Sequence, residues 1–331
     1  MKVCDMHCDT IYELNDRRLK GNDYSLLSND LNISIEKMTK GDYLIQNFAM
    51  FTHLKENKDV VKHVQDMIDT FYLEVDKNKD YIGVVYCYDD IVKNQKENKL
   101  SALLTLEEGA VVNGDLSYLR NYYRLGVRMI TLTWNFPNKI GYPNFDIHGD
   151  KHGYRECDEK HGLTEFGIEY IQEMERLGII IDVSHLSDAG FYDVLKYTKA
   201  PFVASHSNAR SLCPHARNMS DDMIIELAKR GGVMGINYAA DFLSENAPMS
   251  TIEDMVKHIE YIRDLAGIDC IGLGSDFDGI PQNLEMKDCS YLPELEKALY
   301  AHGFSQEDVE KIFYKNVLRL YKVQFTRDYT R

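Results

Sequence analysis

Short apolar runs rich in β-branched and aromatic residues recur along the chain, and charged segments separate most of them. Eight runs read as strands: KVCDMH (2–7), YLIQNFAMF (43–51), SALLTLE (101–107), VRMITLTW (127–134), GIIIDVSH (178–185), APFVASH (200–206), GGVMGINY (231–238) and CIGLGSDF (270–277). Their apolar character is nearly continuous rather than alternating, which is typical of parallel strands that are buried on both faces.

The segments between these runs carry apolar residues at every third or fourth position, the period of an amphipathic helix. The clearest examples are 57–80, 163–178, 220–231 and 250–267. Eight strands alternating with helices in 331 residues predict a (β/α)₈ TIM-like barrel. An open doubly wound sheet is the alternative, but the Gly-rich turn of a dinucleotide-binding fold does not follow the first run. Since no repeat or linker divides the sequence, residues 1–331 are predicted to form a single domain.

The composition and charge of the chain limit the kinds of partner that the protein is expected to bind. A formal net charge of −15 argues against nucleic acid and anionic membrane surfaces, which attract clustered Lys and Arg. The seven cysteines are odd in number and scattered, as expected in a reducing cytoplasm. The sequence shows no membrane-spanning run, no secretory signal pattern and no lipid-anchor tail. We therefore expect a cytoplasmic protein without a membrane partner.

Ionisable residues collect at the carboxyl ends of the predicted strands, where barrel enzymes carry their active sites. These residues are His7, Asp9, Glu107, Glu108, His185, His206, Asp276 and Asp278. A core does not require so many polar strand ends. Neutral imidazoles and carboxylates around one rim suit a borderline divalent ion such as Zn²⁺, with Mn²⁺, Co²⁺ or Fe²⁺ as alternatives.

The number of donors predicts two ions rather than one. Three histidines and several carboxylates exceed the three protein ligands of a typical single catalytic zinc, and a shared carboxylate can bridge a pair of ions. Two zinc ions would lower the pKa of a shared water toward about 7 and supply a hydroxide nucleophile. Taken singly, each residue has a structural alternative: the adjacent Glu107 and Glu108, for example, suit the first turn of a helix.

Five segments carry a resemblance to a known family. HCDT (7–10), LEEG (106–109), IDVSHLS (181–187), SHSNARSLCPHARNMSDD (205–222) and GLGSDFDGIP (272–281) resemble, in the same order, motifs of the membrane (renal) dipeptidase family, peptidase family M19 of the amidohydrolase superfamily. The resemblance covers nearly the whole chain. It implies a TIM-like barrel with a binuclear zinc centre that hydrolyses dipeptides, and it suggests a homodimer.

The resemblance also implies a ligand set. One zinc ion would be held by His7 and Asp9, and the other by His185 and His206. Glu107, the first of the two adjacent glutamates, matches the family's bridging residue.

Four further positions concern the reaction and the substrate. Asp276 matches the family's catalytic acid/base, and Arg217 matches the residue that binds the substrate's terminal carboxylate. Trp134 departs from the pattern, because animal members carry there a histidine thought to polarise the scissile carbonyl. Either a neighbour such as Asn135 or a histidine of the long loop takes over this role, or the substrate differs. Trp134 and Asn135 are therefore both candidates for substrate contact.

The sequence therefore predicts a zinc-dependent dipeptidase acting on dipeptides with a free C-terminal carboxylate. Another amidohydrolase, acting on an N-acyl amino acid, a lactam or a lactone, could use the same metal centre. A zinc-binding pseudoenzyme is the third reading. It is disfavoured because Asp276 and the bridging glutamate are both present.

Overall fold

The computed structural model describes residues 1–144, 155–245 and 247–325. In this part of the chain nine parallel strands form one sheet: β1 (Val3–Asp5), β2 (Tyr43–Phe51), β3 (Ile82–Val84), β4 (Leu100–Glu107), β5 (Val127–Thr131), β6 (Ile180–Asp182), β7 (Val203–Ala204), β8 (Val233–Ile236) and β9 (Ile271–Leu273). Strand β1 pairs with β2 and β9, and β2 pairs with β4, so all strands except β3 close into an eight-stranded barrel. The predicted (β/α)₈ barrel is confirmed.

Strand β3 was not predicted from the sequence. It pairs with the first residues of β4, Leu100–Ala102, and from Leu104 onward β5 lies along β4 instead. Its three residues are too few to show a hydrophobic period, and two of them are only half-buried. The extra strand thus flanks the start of β4 and does not reach the carboxyl rim.

Several barrel strands end earlier than predicted. Strand β6 stops at Asp182 instead of reaching His185, and β9 stops at Leu273 instead of reaching 277. His185 and Asp276 have φ angles of 70° and 62°, in the left-handed region that an extended strand cannot contain. The polar residues at the rim therefore lie in turns beyond the strands, where neighbouring contacts must hold them in place.

Thirteen α-helices are present among the described residues. They are α1 (Thr10–Leu19), α2 (Ile35–Lys40), α3 (Val60–Lys77), α4 (Tyr88–Lys96), α5 (Leu116–Arg124), α6 (Glu165–Leu177), α7 (Asp188–Tyr197), α8 (Asp221–Lys229), α9 (Ala240–Leu243), α10 (Ile252–Ala266), α11 (Leu292–Ala301), α12 (Gln306–Glu310) and α13 (Asn316–Phe325). The four predicted amphipathic helices are α3, α6, α8 and α10. Each begins at a side-chain N-cap, namely Asp59, Thr164, Ser220 and Thr251.

The barrel interior is apolar at its amino-terminal end, and α13 covers that end. Side chains from the strands, such as Leu44 and Leu103, form one buried cluster with Leu320 and Tyr321 of α13. The Tyr321 hydroxyl is 2.7 Å from the Asn47 amide inside the barrel. Access to the interior is thus left to the carboxyl rim.

None of the helices in the described ranges combines the length and the apolar character needed to cross a bilayer. The predicted long loop between Asn135 and Gly162 falls partly on residues 145–154, which lie outside the described residues.

Candidate active site

Glu107 lies at the centre of the polar cluster on the carboxyl rim. It is the last residue of β4, and its two carboxylate oxygens face different groups. Oε2 is 3.2 Å from His7 Nε2, whereas Oε1 is 3.1 Å from His185 Nε2 and 3.5 Å from His206 Nε2. All four side chains are buried. One carboxylate therefore joins two neighbouring sets of donor atoms, which approach each other at His7 and His206, whose ring centroids are 3.9 Å apart.

The first set contains His7, Asp9 and Asp276. His7 Nε2 is 3.4 Å from Asp9 Oδ2 and 3.8 Å from Asp276 Oδ1. Asp9 Oδ1 and both ring nitrogens of His7 are buried and make no well-aligned hydrogen bond, although His7 Nε2 lies within 3.4 Å of Asp9 and Glu107. A buried polar atom left unpaired costs about 1–3 kcal/mol, so these atoms call for a further partner. A divalent cation fits, because each residue offers a donor atom within 4.8 Å of the others.

The negative charge of the carboxylates in this first set also favours binding of a cation. Burial by itself would lower the pKa of His7, but Glu107 and Asp9 raise it well above its usual value. Burial raises the pKa of Asp9 to about 7, although His7 opposes the shift. The buried carboxylates thus hold a proton on His7, which a metal ion would displace on binding.

The second set contains His185 and His206, whose Nε2 atoms are 3.1 Å apart. Their other ring nitrogens have partners: His185 Nδ1 is 2.8 Å from Asn135 Oδ1, and His206 Nδ1 is 2.7 Å from Ser205 Oγ. The Asn135 oxygen can only accept, so His185 carries its proton on Nδ1 and keeps a lone pair on Nε2. This tautomer is the one that a metal ligand requires.

Protonation in the second set differs from that in the first. Burial lowers the pKa of His185 well below its usual value, and the Arg217 charge lowers it further. Burial and the neighbouring His7 lower the pKa of His206. For Glu107, burial would raise the pKa, but the three histidines hold it well below its usual range. Two neutral imidazoles and an ionised carboxylate are therefore available as ligands.

Asp276 and Arg217 flank these donors. Asp276 Oδ2 accepts a 2.8 Å hydrogen bond from the Asn237 amide, which leaves Oδ1 facing His7. Arg217 is buried, and its Nη2 donates to the His206 carbonyl at 3.1 Å. Its Nε has no hydrogen-bond partner, and burial lowers the pKa of the guanidinium. The Arg217 guanidinium therefore keeps an N–H donor that is available to a ligand.

These residues open into a cleft of about 480 Å³, within the range of about 300–1,000 Å³ typical of small-molecule sites. The β1, β2 and β5 side of the barrel contributes Tyr12, Phe51 and Trp134 to its wall, and the β7 and β8 side contributes Arg217 and Phe242. Among the described residues that line it, Arg217 is the only Lys or Arg. The lining also includes the carboxylates of Asp9, Glu13, Glu107, Asp241, Asp276 and Asp278, so an anionic group of a small molecule would be attracted only at Arg217.

The sequence profile of the membrane dipeptidase family (peptidase family M19) matches residues 1–330. The chain belongs to this family. An uncharacterized dipeptidase of Schizosaccharomyces pombe is 36% identical over 300 residues, covering 86% of this chain and 70% of that protein. Dipeptidase tcpJ of Claviceps purpurea is 31% identical over 268 residues, covering 79% of this chain and 61% of that protein.

A solved structure agrees with this assignment. The crystal structure of dipeptidase AC, a metallopeptidase of family M19, matches with a TM-score of 0.89 and 25% identity over 98% of this chain and 99% of that chain. The predicted family is confirmed, and so is a peptide-bond hydrolase activity of the metallo-dipeptidase class.

The two adjacent glutamates of this M19 dipeptidase have different surroundings. Glu108 is fully buried and turned away from Glu107 toward the loop after β5. Its Oε1 accepts from the Ala110 N–H at 2.9 Å and from the Asn138 amide, and its Oε2 accepts from the Trp134 N–H at 3.0 Å. Only Glu107 faces the histidines, whereas Glu108 holds the loop that carries Trp134.

Trp134, the position at which the resemblance implies a histidine in animal members, is half-buried in the cleft wall. Its ring centroid is 5.0 Å from that of Phe51 and 6.2 Å from that of His185. The adjacent Asn135 also lines the cleft, but its side-chain oxygen contacts the imidazole of His185. The indole thus presents a largely apolar surface beside the second donor set.

Sequence reasoning missed residues of this M19 dipeptidase that support the donors from behind: Asp5, Asp182, Ser205, Asn237 and Ser275. All five are buried. A signal is visible in retrospect, since an aspartate stands two or three residues before a histidine in DMH and DVSH, and a serine directly precedes His206 and Asp276. The pattern has no physical meaning until the contacts between neighbouring strands are known.

Proposed function

We propose that this chain is a dipeptidase that holds two Zn²⁺ ions and cleaves dipeptides with a free C-terminal carboxylate. The observation that carries the proposal is the position of Glu107, with one oxygen facing His7 and the other facing His185 and His206. This is the arrangement expected of a carboxylate shared by two ions. The buried Arg217 beside it supports a substrate with a carboxylate.

In this proposal His7 and Asp9 hold one ion, His185 and His206 hold the other, and Glu107 contacts both. Nitrogen and carboxylate donors suit Zn²⁺, and Mn²⁺, Co²⁺ or Fe²⁺ could bind the same set. When bound, the two ions activate a water molecule and polarise the scissile carbonyl.

Asp276 moves the proton. Asn237 fixes its Oδ2, so the free Oδ1 faces the reacting centre as a proton acceptor. In the proposed reaction this oxygen takes a proton from the attacking water and passes it to the leaving amine. The peptide C–N bond breaks as the new C–O bond forms, and the products are two amino acids.

Arg217 selects the substrate. A guanidinium presents parallel N–H donors that match a carboxylate, which a flexible ammonium does less well. A carboxylate bound there fixes the distance to the scissile bond, so a dipeptide places its only peptide bond at the donors. A longer peptide would carry its C-terminal carboxylate too far from that bond.

The metal content tests the proposal directly. We expect purified protein loaded with Zn²⁺ to contain close to two ions per chain by elemental analysis, because the donors form two sets. A chelator should abolish dipeptide hydrolysis, and added Zn²⁺ or Mn²⁺ should restore it. His185→Ala should lower the occupancy toward one ion. A single ion in the wild type, with no change in His185→Ala, would refute the two-ion site.

Substrate length and charge test the role of Arg217. We expect kcat/KM to fall at least about tenfold when the dipeptide's carboxylate is amidated, since a lost hydrogen bond between charged groups costs about 1.5–3 kcal/mol. Arg217→Lys should lower kcat/KM for the free dipeptide by a similar factor. The measurement compares a dipeptide, its amide and the tripeptide extended at its C-terminus.

The control is the amide itself, because Arg217→Lys should change its kcat/KM much less than that of the free dipeptide. Equal values for all three substrates would contradict carboxylate recognition. They would favour a broader amidohydrolase instead.

A further inference from the structure

Two buried aspartates inside the barrel accept the same set of hydrogen bonds. The first is Asp182, the last residue of β6. Its Oδ1 accepts the N–H groups of Ser184 at 3.0 Å and Ser205 at 2.8 Å. Its Oδ2 accepts the hydroxyls of Ser205 at 2.5 Å and Thr131 at 2.6 Å. The carboxylate thus fastens the start of the β6 turn to the neighbouring strand β7.

Asp5, the last residue of β1, repeats this pattern on the other side of the barrel. Its Oδ1 accepts the N–H groups of His7 at 3.2 Å and Ser275 at 2.9 Å. Its Oδ2 accepts the hydroxyls of Ser275 at 2.6 Å and Tyr43 at 3.5 Å. Ser275 directly precedes Asp276, as Ser205 directly precedes His206. Each pair, which we call a carboxylate–serine clamp, holds the backbone from which a functional side chain projects.

The two clamps differ in one contact. The Ser205 hydroxyl is 2.7 Å from His206 Nδ1, whereas the Ser275 hydroxyl is 3.1 Å from the backbone carbonyl of His7. A serine has one hydroxyl proton, and a carboxylate can only accept. Ser205 gives its proton to Asp182, so its oxygen must accept the Nδ1–H of His206. The lone pair of His206 is thereby placed on Nε2, which faces Glu107.

We propose that Asp182 is a positioning residue that sets the tautomer of His206 through the hydroxyl proton of Ser205. In the metal-loaded enzyme, a consequence that rests on the proposed function, Asp182 thereby keeps His206 Nε2 available to one of the two ions. Hydrogen bonds from the other ring nitrogen commonly fix the tautomer of a ligating histidine. Here Asp182 fixes the tautomer indirectly, because the Ser205 hydroxyl lies between its carboxylate and the His206 imidazole.

The substitution Asp182→Asn should reverse the direction of the two hydrogen bonds that link His206 to Ser205 and Ser205 to residue 182. The amide oxygen must occupy the Oδ1 position, because that position faces two backbone N–H groups. The NH₂ group then takes the Oδ2 position and donates to the hydroxyls of Ser205 and Thr131. Ser205 then turns its own proton toward His206 Nδ1 at 2.7 Å, which is closer than the Ser184 hydroxyl at 3.4 Å, and the imidazole proton moves to Nε2. The Thr131 hydroxyl accepts from the new NH₂ group but loses the acceptor of its own proton, a cost of about 1–3 kcal/mol. The other polar atoms of this network keep a partner, so the fold should persist.

The tautomer can be read without any metal. We expect ¹⁵N-histidine NMR of the metal-free full-length protein to show His206 protonated at Nδ1 in the wild type and at Nε2 in Asp182→Asn. Asp5→Asn is the matched control, because the Asp5 clamp contacts no imidazole through its serine, and His206 should stay protonated at Nδ1. A His206 that keeps its Nδ1 proton in folded Asp182→Asn would overturn the proposal.

Zn²⁺ affinity provides the second readout. Asp182→Asn should weaken one of the two Zn²⁺ sites by about 10–100-fold, the usual cost of losing an outer-shell partner. In a Ser205→Ala background the same substitution should add no more than about twofold, because the proton path to His206 is already cut; independent effects would instead add. The same loss in both backgrounds would show a merely structural role.

Different results would refute the proposed metal centre and the proposed role of Asp182. A wild-type protein that binds no Zn²⁺ would refute the proposed metal centre and leave the tautomer change measurable. A wild-type protein that binds two ions, with no tautomer change in Asp182→Asn, would refute only the role of Asp182.

Discussion

We expect Asp276→Asn to lower kcat for dipeptide hydrolysis by at least about 10²-fold, since general acid–base catalysis contributes about 10²–10⁴-fold, while the folded protein should still bind metal. An asparagine has the same shape, and its amide oxygen can accept the hydrogen bond that Asn237 donates. Its NH₂ group then occupies the Oδ1 position and cannot take a proton from water. Steady-state kinetics and elemental analysis on the same preparation measure both effects.

Asp278→Asn is the control for this prediction. Asp278 is two residues away and also lines the cleft, but its oxygens accept from the Thr10 hydroxyl at 2.6 Å and the Asn32 N–H at 2.7 Å. Its substitution should therefore affect stability more than turnover. Near-normal kcat in Asp276→Asn would move the proton transfer to another group.

Glu107→Gln and Glu108→Gln should affect different properties, metal binding in the first case and stability in the second, although the two residues are adjacent and identical in type. Glu107→Gln removes the charge that faces three imidazoles, and a single amide oxygen cannot serve two ions. We expect Zn²⁺ affinity to fall by more than about 100-fold, beyond the range for outer-shell partners, and hydrolysis to fall with it. Equilibrium dialysis against Zn²⁺ and kinetics at saturating metal give the two measurements.

Glu108→Gln should leave Zn²⁺ stoichiometry unchanged and lower the free energy of unfolding instead. The Glu108 carboxylate accepts three N–H donors, and a glutamine would turn its NH₂ group toward at least one of them. A buried donor left without an acceptor costs about 1–3 kcal/mol. Chemical denaturation measures this loss. If Glu108→Gln released metal and Glu107→Gln did not, the choice of bridging residue would be wrong.

The indole of Trp134 changes what the cleft can recognise. Its ring lies beside Phe51 and near His185, so it extends an apolar wall toward the donors. A histidine in this place would offer a hydrogen bond to the scissile carbonyl. In the proposed reaction, polarisation of that carbonyl would fall to the metal ions and to a polar side chain of the cleft such as Arg217 or Asn135.

The strand pattern predicted the barrel because strands buried on both faces need nearly continuous apolar runs. Strand β3 was not predicted, because a run of three residues is too short to show a hydrophobic period. The ends of β6 and β9 were misplaced for a different reason. Apolar character cannot indicate the left-handed backbone of His185 and Asp276, which contacts with other strands stabilise.

The sequence by itself determined which residues meet at the rim, because a parallel barrel brings the carboxyl ends of all its strands to one end. Residue chemistry alone did not determine which glutamate faces the histidines, since Glu107 and Glu108 have the same chemistry and stand side by side; the choice of Glu107 came from the family resemblance. Nor could the sequence show whether Ser205 or His206 donates the hydrogen bond between them. Those outcomes depend on distances of about 3 Å between side chains from different strands, and only the tertiary structure sets such distances.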